Sequence, residues 1–268
     1  MYQHHSMESA IYKWRVVELR AMTHQPSTQA AERGEPSYVW RSGQERRLNM
    51  MARAVDLNGA FVLEAGCGLG TYAAQIQRRF SARVAAFDIE LERARIAQQE
   101  IPGALVAAGE GIPYAAHTFD VVFSNEVIEH VADDRQFARE MLRVSRPGGH
   151  ILIFAPNRWY PFETHGHYWR GEYHFGNTPL INYLPDRWRD QLAPHVRAYT
   201  ARGLRRLFAD LPVDVVTHTR IFGGYDNIVA RLPAAGKFIR GVLYPLEKTP
   251  LRWFGLSHWL VLRKLDSA

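Results

Sequence analysis

Apolar positions along the chain fall into short solid runs separated by stretches of helical spacing. Runs near 61–65, 83–88, 103–107, 119–124 and 150–155 read as buried strands. Between them, Ala73, Ile76 and Phe80 recur at helical spacing, as do Phe137, Met141 and Val144 after the start signal Asp133-Asp134. Pro147-Gly148-Gly149 is expected to end that helix and turn the chain into the fifth strand. Strand and helix in alternation predict a largely parallel sheet covered on both faces. Further on, Ala201–Phe208 reads as a helix, Val213–Arg220 as a strand, and Ser257–Lys264 as the last strand, with Trp259, Val261 and Leu265 on one face. Ahead of the core, Ile11–Met22 and Tyr38–Val55 read as helices joined by a polar loop at 25–36. The expected organisation is an N-terminal helical cap over 1–50 and an α/β domain over 51–268. Two insertions interrupt that domain, at about 157–195 and 221–256.

The second insertion has its own pattern. Phe238, Val242 and Leu246 fall four apart, with Ile239 and Leu243 beside them and Lys237, Arg240, Lys248 and Arg252 around them. Such a stripe suits a lid over a greasy substrate, a segment lying on a membrane surface, or a core helix. The stretch 170–195 lacks periodicity and reads as a substrate lid with short helices.

Candidate chemistry begins at the first strand, which Asn58-Gly59 leads into and which ends in Gly66, Cys67, Gly68, Leu69 and Gly70. Glycines between a strand and a helix start let a backbone approach a nucleotide closely. Asp88 ends the second strand 22 positions after Gly66, near the ~20-residue spacing of an acid that holds ribose hydroxyls. It can also cap a helix over Ile89–Gln98, and the two roles can coexist. Glu64, two residues before Gly66, opposes a pyrophosphate and suits an amine or sulfonium cation. That charge favours S-adenosylmethionine (SAM) over NAD.

Four segments then occur in order: Val62–Gly70, Phe87–Glu90, Phe119–Val131 and Leu142–Gly149. Together they resemble the class I SAM-dependent methyltransferases, in particular the ubiquinone-biosynthesis-type (type 11) branch. The resemblance is strong over about 45–160. It implies a Rossmann-like, mostly parallel seven-stranded sheet with the last strand antiparallel beside the sixth. It also implies that Glu64, Gly66, Gly68 and Gly70 line the methionine end, Asp88 the ribose, Gly109 and Glu110 the adenine, and Asn125 the sulfonium, with Cys67 and Ile89 as further cofactor-binding residues. Ala108 stands where many relatives carry an aspartate for the adenine amine, leaving the Gly109 backbone or Glu110 for that contact.

For the acceptor, residues 155–169 leave the carboxyl end of the fifth strand, where open α/β sheets bind ligands. His165 and His167 are candidate general bases there. His130, in the Glu129-His130 pair after the fourth strand, is a third, or else a loop-supporting histidine. Tyr38, Trp159, Tyr160 and Phe162 are expected to contact a flat or apolar acceptor, with Trp40 a further aromatic of the leading helix. His165, His167, His174 and Glu163 are metal-ligating types, but their spacing fits no metal motif and no metal is expected.

Composition sets the outer limits. The 268 residues are 47% hydrophobic and 22% charged, with a formal charge of +6. That is ordinary for a globular protein. Cys67 is the one cysteine, so no intrachain disulfide is possible. No apolar run reaches the ~18 residues of a membrane span, and the first residues form no secretory signal. No dense basic track points to nucleic acid. The expectation is a cytoplasmic enzyme, with peripheral membrane contact through the 238–246 stripe. It would transfer a methyl group from SAM to a small or lipophilic acceptor, with a hydroxyl oxygen as the favoured atom. The alternatives are an NAD-dependent oxidoreductase and a nonenzymatic SAM-binding scaffold.

Overall fold

The computed structural model describes residues 39–266. The expected helix at 11–22, the loop at 25–36 and Tyr38 lie outside them. The chain begins with α1 (Ser42–Ala54). It then alternates through β1 (Phe61–Ala65), α2 (Thr71–Phe80), β2 (Arg83–Asp88), α3 (Leu91–Ala97), β3 (Leu105–Val106), β4 (Phe119–Asn125), α4 (Asp134–Val144) and β5 (Ser145–Pro156). After β5 come four strands of two or three residues: β6 (Phe162–Glu163), β7 (His167–Trp169), β8 (Glu172–His174) and β9 (Thr178–Pro179). The chain continues through α5 (Asp186–Leu192), α6 (Ala201–Arg206), β10 (Val213–Ile221), α7 (Asp226–Arg231), α8 (Pro233–Leu246) and β11 (Ser257–Lys264).

Seven strands form one sheet in the order β10-β11-β5-β4-β1-β2-β3. β1 pairs in parallel with β2 and β4, and β4 with β5. β11 inserts antiparallel between β5 and β10, as the resemblance implied. Successive strand residues point to opposite faces. Leu63 and Val122 therefore meet Phe137 and Met141 of α4, while Val62, Phe123 and Phe154 meet Leu48 and Met51 of α1. Phe137, Met141 and Val144 are fully buried, each contributing roughly 1.5–3 kcal/mol by burial. Asp133 caps α4 by accepting a hydrogen bond from the Gln136 amide at 2.9 Å.

Three expectations need correcting. Pro147-Gly148-Gly149 does not separate α4 from β5. The helix stops at Val144 and β5 starts at Ser145, with a register shift against β4 absorbing the irregular stretch. Leu265 lies beyond β11 and is 40% exposed, so it does not extend the Trp259/Val261 face. Residues 157–183 carry two small two-stranded sheets, β6-β9 and β7-β8, besides short helices.

α8 is not a core helix. Phe238 is 72% and Val242 45% exposed, and among its described residues only Gly236 is buried. It is anchored at the level of α1 by Arg240, which donates to Asp226 at 3.0 Å and to the Ser42 hydroxyl at 2.6 Å. Arg46 of α1 pairs with Glu247 just past its end. No described helix is long and apolar enough to cross a membrane.

Candidate active site

The carboxyl ends of β1, β2, β4 and β5 open into one cavity of about 990 Å³. Gly66 follows β1 with φ +77°, and a Cβ there would lie 2.5 Å from Val127 Cγ2. Only glycine suits that combination of left-handed backbone and contact. Gly68, at φ +54°, donates its amide to Asp88 Oδ2 at 2.8 Å. Asp88 Oδ1 accepts from the Glu90 amide at 3.0 Å. Asp88 therefore ties the glycine turn to the start of α3, and each of its oxygens keeps a lone pair for a ligand hydroxyl.

Glu64 is buried, with Oε2 accepting from the Ala73 amide in the first turn of α2 at 2.7 Å. Burial pushes its pKa up to about 8, and the charge of Asp88 adds to the shift. A cationic ligand beside it would favour the carboxylate again. The Cys67 thiol is pushed up by burial and by the Glu64 and Asp88 charges, which leaves a packed thiol rather than a nucleophile. Tyr72 lines the same space, and its buried hydroxyl has no hydrogen-bond partner among the described residues.

Glu64, Gly66, Cys67, Gly68, Asp88, Ile89, Gly109, Glu110 and Asn125 all line the cavity. Gly70 is not among the lining residues; it caps α2 in a left-handed conformation and packs on Ala97. Gly109 sits where a Cβ would strike the Phe137 ring at 2.7 Å. Glu110 Oε1 is turned toward the Asp133 amide at 3.1 Å. Asn125 is held by Arg47 of α1, which donates to Asn125 Oδ1 at 2.5 Å, Glu126 Oε1 at 2.7 Å and Ser257 Oγ at 2.8 Å. Burial alone would raise Glu126, but Arg47 and then His165 outweigh it and hold the carboxyl below its usual range.

The far wall joins the loop after β4 to the insertion after β5. His130 and His165 both line the cavity, with ring centroids 5.3 Å apart. His165 Nδ1 lies 3.1 Å from Glu163 Oε1. Glu163 Oε2 accepts from Arg189 Nη2 at 2.9 Å, both side chains being buried. Arg189 also donates to the Val196 carbonyl at 2.8 Å. Burial would raise Glu163, yet its contacts with His165 and Arg189 hold it at about 2. Burial, helped by the charge of His165, pushes His130 down to about 3.

His167 is elsewhere. It pairs with His174 across β7-β8, and its Nδ1 meets the Thr178 hydroxyl at 3.0 Å. Trp159, Tyr160 and Phe162 are likewise not among the lining residues. Trp159 is in ring contact with Tyr183 and Trp253, and Tyr160 with Phe162. Instead Tyr173 of β8 and Phe175 just after it, with Phe222 after β10, supply the aromatic lining. Arg47, Glu126 and Arg189 had no signal in the sequence, because each acts through a partner distant along the chain.

Residues 63–153 match the family described as a methyltransferase domain. The chain is 37% identical over 102 residues to a protein of Mycolicibacterium smegmatis described as a probable S-adenosylmethionine-dependent methyltransferase, over 37% of this chain and 39% of that one. It is 34% identical over 108 residues to the ubiquinone biosynthesis O-methyltransferase of Rhizobium johnstonii, over 38% and 43%. It thus spans about two fifths of the length of the curated relatives it matches. A SAM-dependent methyltransferase structure from Mesorhizobium loti superposes with a TM-score of 0.58 at 16% identity, over 83% of this chain and 98% of that one. The [4+2]-cyclase SpnF superposes at 0.56 with 16% identity, over 85% and 83%. The fold is that of the class I SAM-dependent methyltransferases, and the family match falls on residues 63–153. SAM is the cofactor of that domain, and the residues present fit it. The glycine cradle, the Asp88 acceptors, the buried Glu64 and the unpartnered Tyr72 hydroxyl all face one space.

Replacing Asp88 by alanine removes the acceptor for two backbone amides and the cavity-lining anion that we propose holds the ribose. Charged hydrogen bonds contribute about 1.5–3 kcal/mol each, so SAM affinity should fall roughly 10- to 100-fold. Calorimetric titration checks this, and an unchanged Kd in a folded variant would remove the ribose assignment.

Proposed function

We propose that this chain transfers a methyl group from SAM to a hydroxyl oxygen of a small acceptor with an apolar or aromatic portion. The observation that carries this reading is the continuity of the cavity. Its cofactor half, Glu64 to Asp88, opens directly onto the wall formed by His130 and His165. Bound SAM supplies an electrophilic methyl, taken by the acceptor's lone pair while the C–S bonding pair stays on sulfur.

The protein's own contribution is placement and proton handling. Glu64 and Asp88 fix the cofactor end, and Arg47 holds the Asn125-Glu126 turn between the two halves. Alignment of acceptor and methyl accounts for much of the rate. The histidine and carboxylate wall receives the hydroxyl and takes up its proton. Val127, Tyr173, Phe175, Ile221, Phe222 and Leu256 line the cavity and suit a partly apolar body. The buried acid at Glu64 gains its charge beside a cationic ligand, which SAM brings and the pyrophosphate of NAD does not. A bare scaffold has no use for an ionisable wall beside its ligand.

The test is a screen of aromatic and apolar hydroxyl compounds with SAM, read by mass spectrometry for gain of one methyl. Product methylated at oxygen is expected. Product methylated only at nitrogen or carbon would refute the acceptor assignment, and no SAM-dependent product at all would refute methyl transfer.

A further inference from the structure

We propose that Arg220, with Arg205 and Arg252 beside it, forms an oxyanion site for a phosphate monoester carried on a flat aromatic body. The site lies on β10, the edge strand of the sheet. Arg220 is next to last in that strand and only 8% exposed. Its Nε is enclosed and has no hydrogen-bond partner among the described residues. Buried charges are normally paired. Yet none of the three arginines is in an ion pair among the described residues.

The surroundings of Arg220 are positive. Burial, then the charges of Arg252 and Arg205, push its pKa below the ordinary value, and no carboxylate counters them. His218, two residues back on the same strand face, is pushed down to about 3 by burial first and then by His258, Arg205 and Arg220. The two histidines occupy each other. His218 Nε2 lies 3.1 Å from His258 Nδ1, and His258 Nε2 donates to the Tyr199 carbonyl at 2.8 Å. Neither ring offsets the arginine charge. An oxyanion would, and the planar guanidinium fork matches two phosphate oxygens at once.

The aromatic half is equally built. Arg220 Cζ lies 4.6 Å from the centroid of the Trp253 ring, in the short turn Pro250–Phe254. Buried Asn157, just past β5, locks that turn by donating to the carbonyls of Trp253 at 2.8 Å and Gly255 at 2.7 Å. Gly255 lets the turn rest on β10, since a Cβ there would stand 2.9 Å from the Ile221 carbonyl oxygen. Trp253 nonetheless stays exposed, as do Trp159, 6.4 Å from it, and Tyr183, 6.3 Å from Trp159. A ring stacked on this surface would bring its phosphate against the arginines.

Arg205, Arg220, Arg252, Trp253 and Trp159 do not line the SAM cavity. The inference therefore goes beyond methyl transfer and does not depend on it. It also gives Trp159, which the sequence placed against the acceptor, a ligand-facing role outside the cavity.

Calorimetric titration of the full chain with phenyl phosphate, inorganic phosphate and benzyl alcohol tests the proposal. Phenyl phosphate should bind at one site per chain, inorganic phosphate more weakly, and benzyl alcohol not measurably. Arg220→Met should weaken phenyl phosphate about 10- to 100-fold, the range for lost charged hydrogen bonds. Arg205→Ala/Arg252→Ala, changed at exposed positions, should weaken it about 10-fold. Trp253→Leu should remove the advantage of phenyl phosphate over phosphate. SAM affinity should stay unchanged in all three variants. Urea denaturation separates a ligand site from a structural arginine. Without phosphate, Arg220→Met should be no less stable than the parent, and added phosphate should stabilise the parent alone. Equal phenyl phosphate affinity in the parent and the Arg205→Ala/Arg252→Ala variant, or no binding by the parent, would overturn the proposal. Vesicles of phosphatidylcholine and phosphatidylglycerol are sedimented with the protein alongside. Arg220-dependent vesicle binding without phenyl phosphate binding would assign the arginines to a lipid headgroup and overturn the monoester assignment.

Discussion

Replacement of His165 by alanine is expected to lower turnover about 10²- to 10⁴-fold, the range of a positioned proton-handling group. SAM affinity should stay within a few fold of the parent. The reason is position. His165 borders the acceptor half of the cavity, while the cofactor half is built from the ends of β1 and β2. His167→Ala is the matched control, since its ring stacks on His174 and meets Thr178 outside the cavity lining. Steady-state kinetics with a SAM titration separates the two variants. A larger loss in His167→Ala than in His165→Ala would contradict the placement, and a SAM affinity falling in step with turnover would make His165 a cofactor ligand instead.

Arg189→Ala is expected to destabilise the protein by about 3–5 kcal/mol, the cost of leaving a buried charge without its partner. Arg189 and Glu163 are each 2% exposed, and their 2.9 Å contact joins α5 to β6. Loss of the guanidinium strands the Glu163 carboxylate and frees the Val196 carbonyl. The segment 157–197 should then open first, and proteolysis in it should quicken more than elsewhere. Turnover should fall too, because Glu163 orients His165. Adding Glu163→Gln to Arg189→Ala removes the stranded charge and should restore part of the stability but not the activity. Urea denaturation of the single and double variants reads this. A loss under about 1 kcal/mol in Arg189→Ala would mean that the pair is not structural, well below the range for a broken buried pair.

What the sequence disclosed follows the range of each signal. The glycine turn, Asp88 and Glu64 lie within one strand-turn-helix-strand unit, and all three line the cavity as their spacing suggested. β11 matches its expected span because the apolar run Trp259-Leu260-Val261-Leu262 at its centre leaves little choice. The same locality explains the misses. β6 to β9 are two or three residues long, too short for any period to register. Trp159, Tyr160 and Phe162 looked like an acceptor floor, yet aromatic content alone does not say which side of a loop faces the cavity. Tyr173 and Phe175 occupy that place instead. Arg47 reaches the end of β4 from α1, and Arg189 reaches β6 from α5. Neither partnership has a local pattern to betray it. The stripe on α8 was ambiguous between lid, membrane face and core. Its exposed Phe238 and Val242 remove the core alternative.

The central claim is that the cavity beside Gly66 takes SAM. Calorimetry of the full chain with SAM, its demethylated product S-adenosylhomocysteine, and NAD tests it most directly. SAM and the product should bind at one site per chain, and NAD should give no comparable signal because the buried Glu64 carboxyl is favoured in its charged form by a cationic ligand and not by a pyrophosphate. Tight NAD binding with no SAM signal would contradict the account.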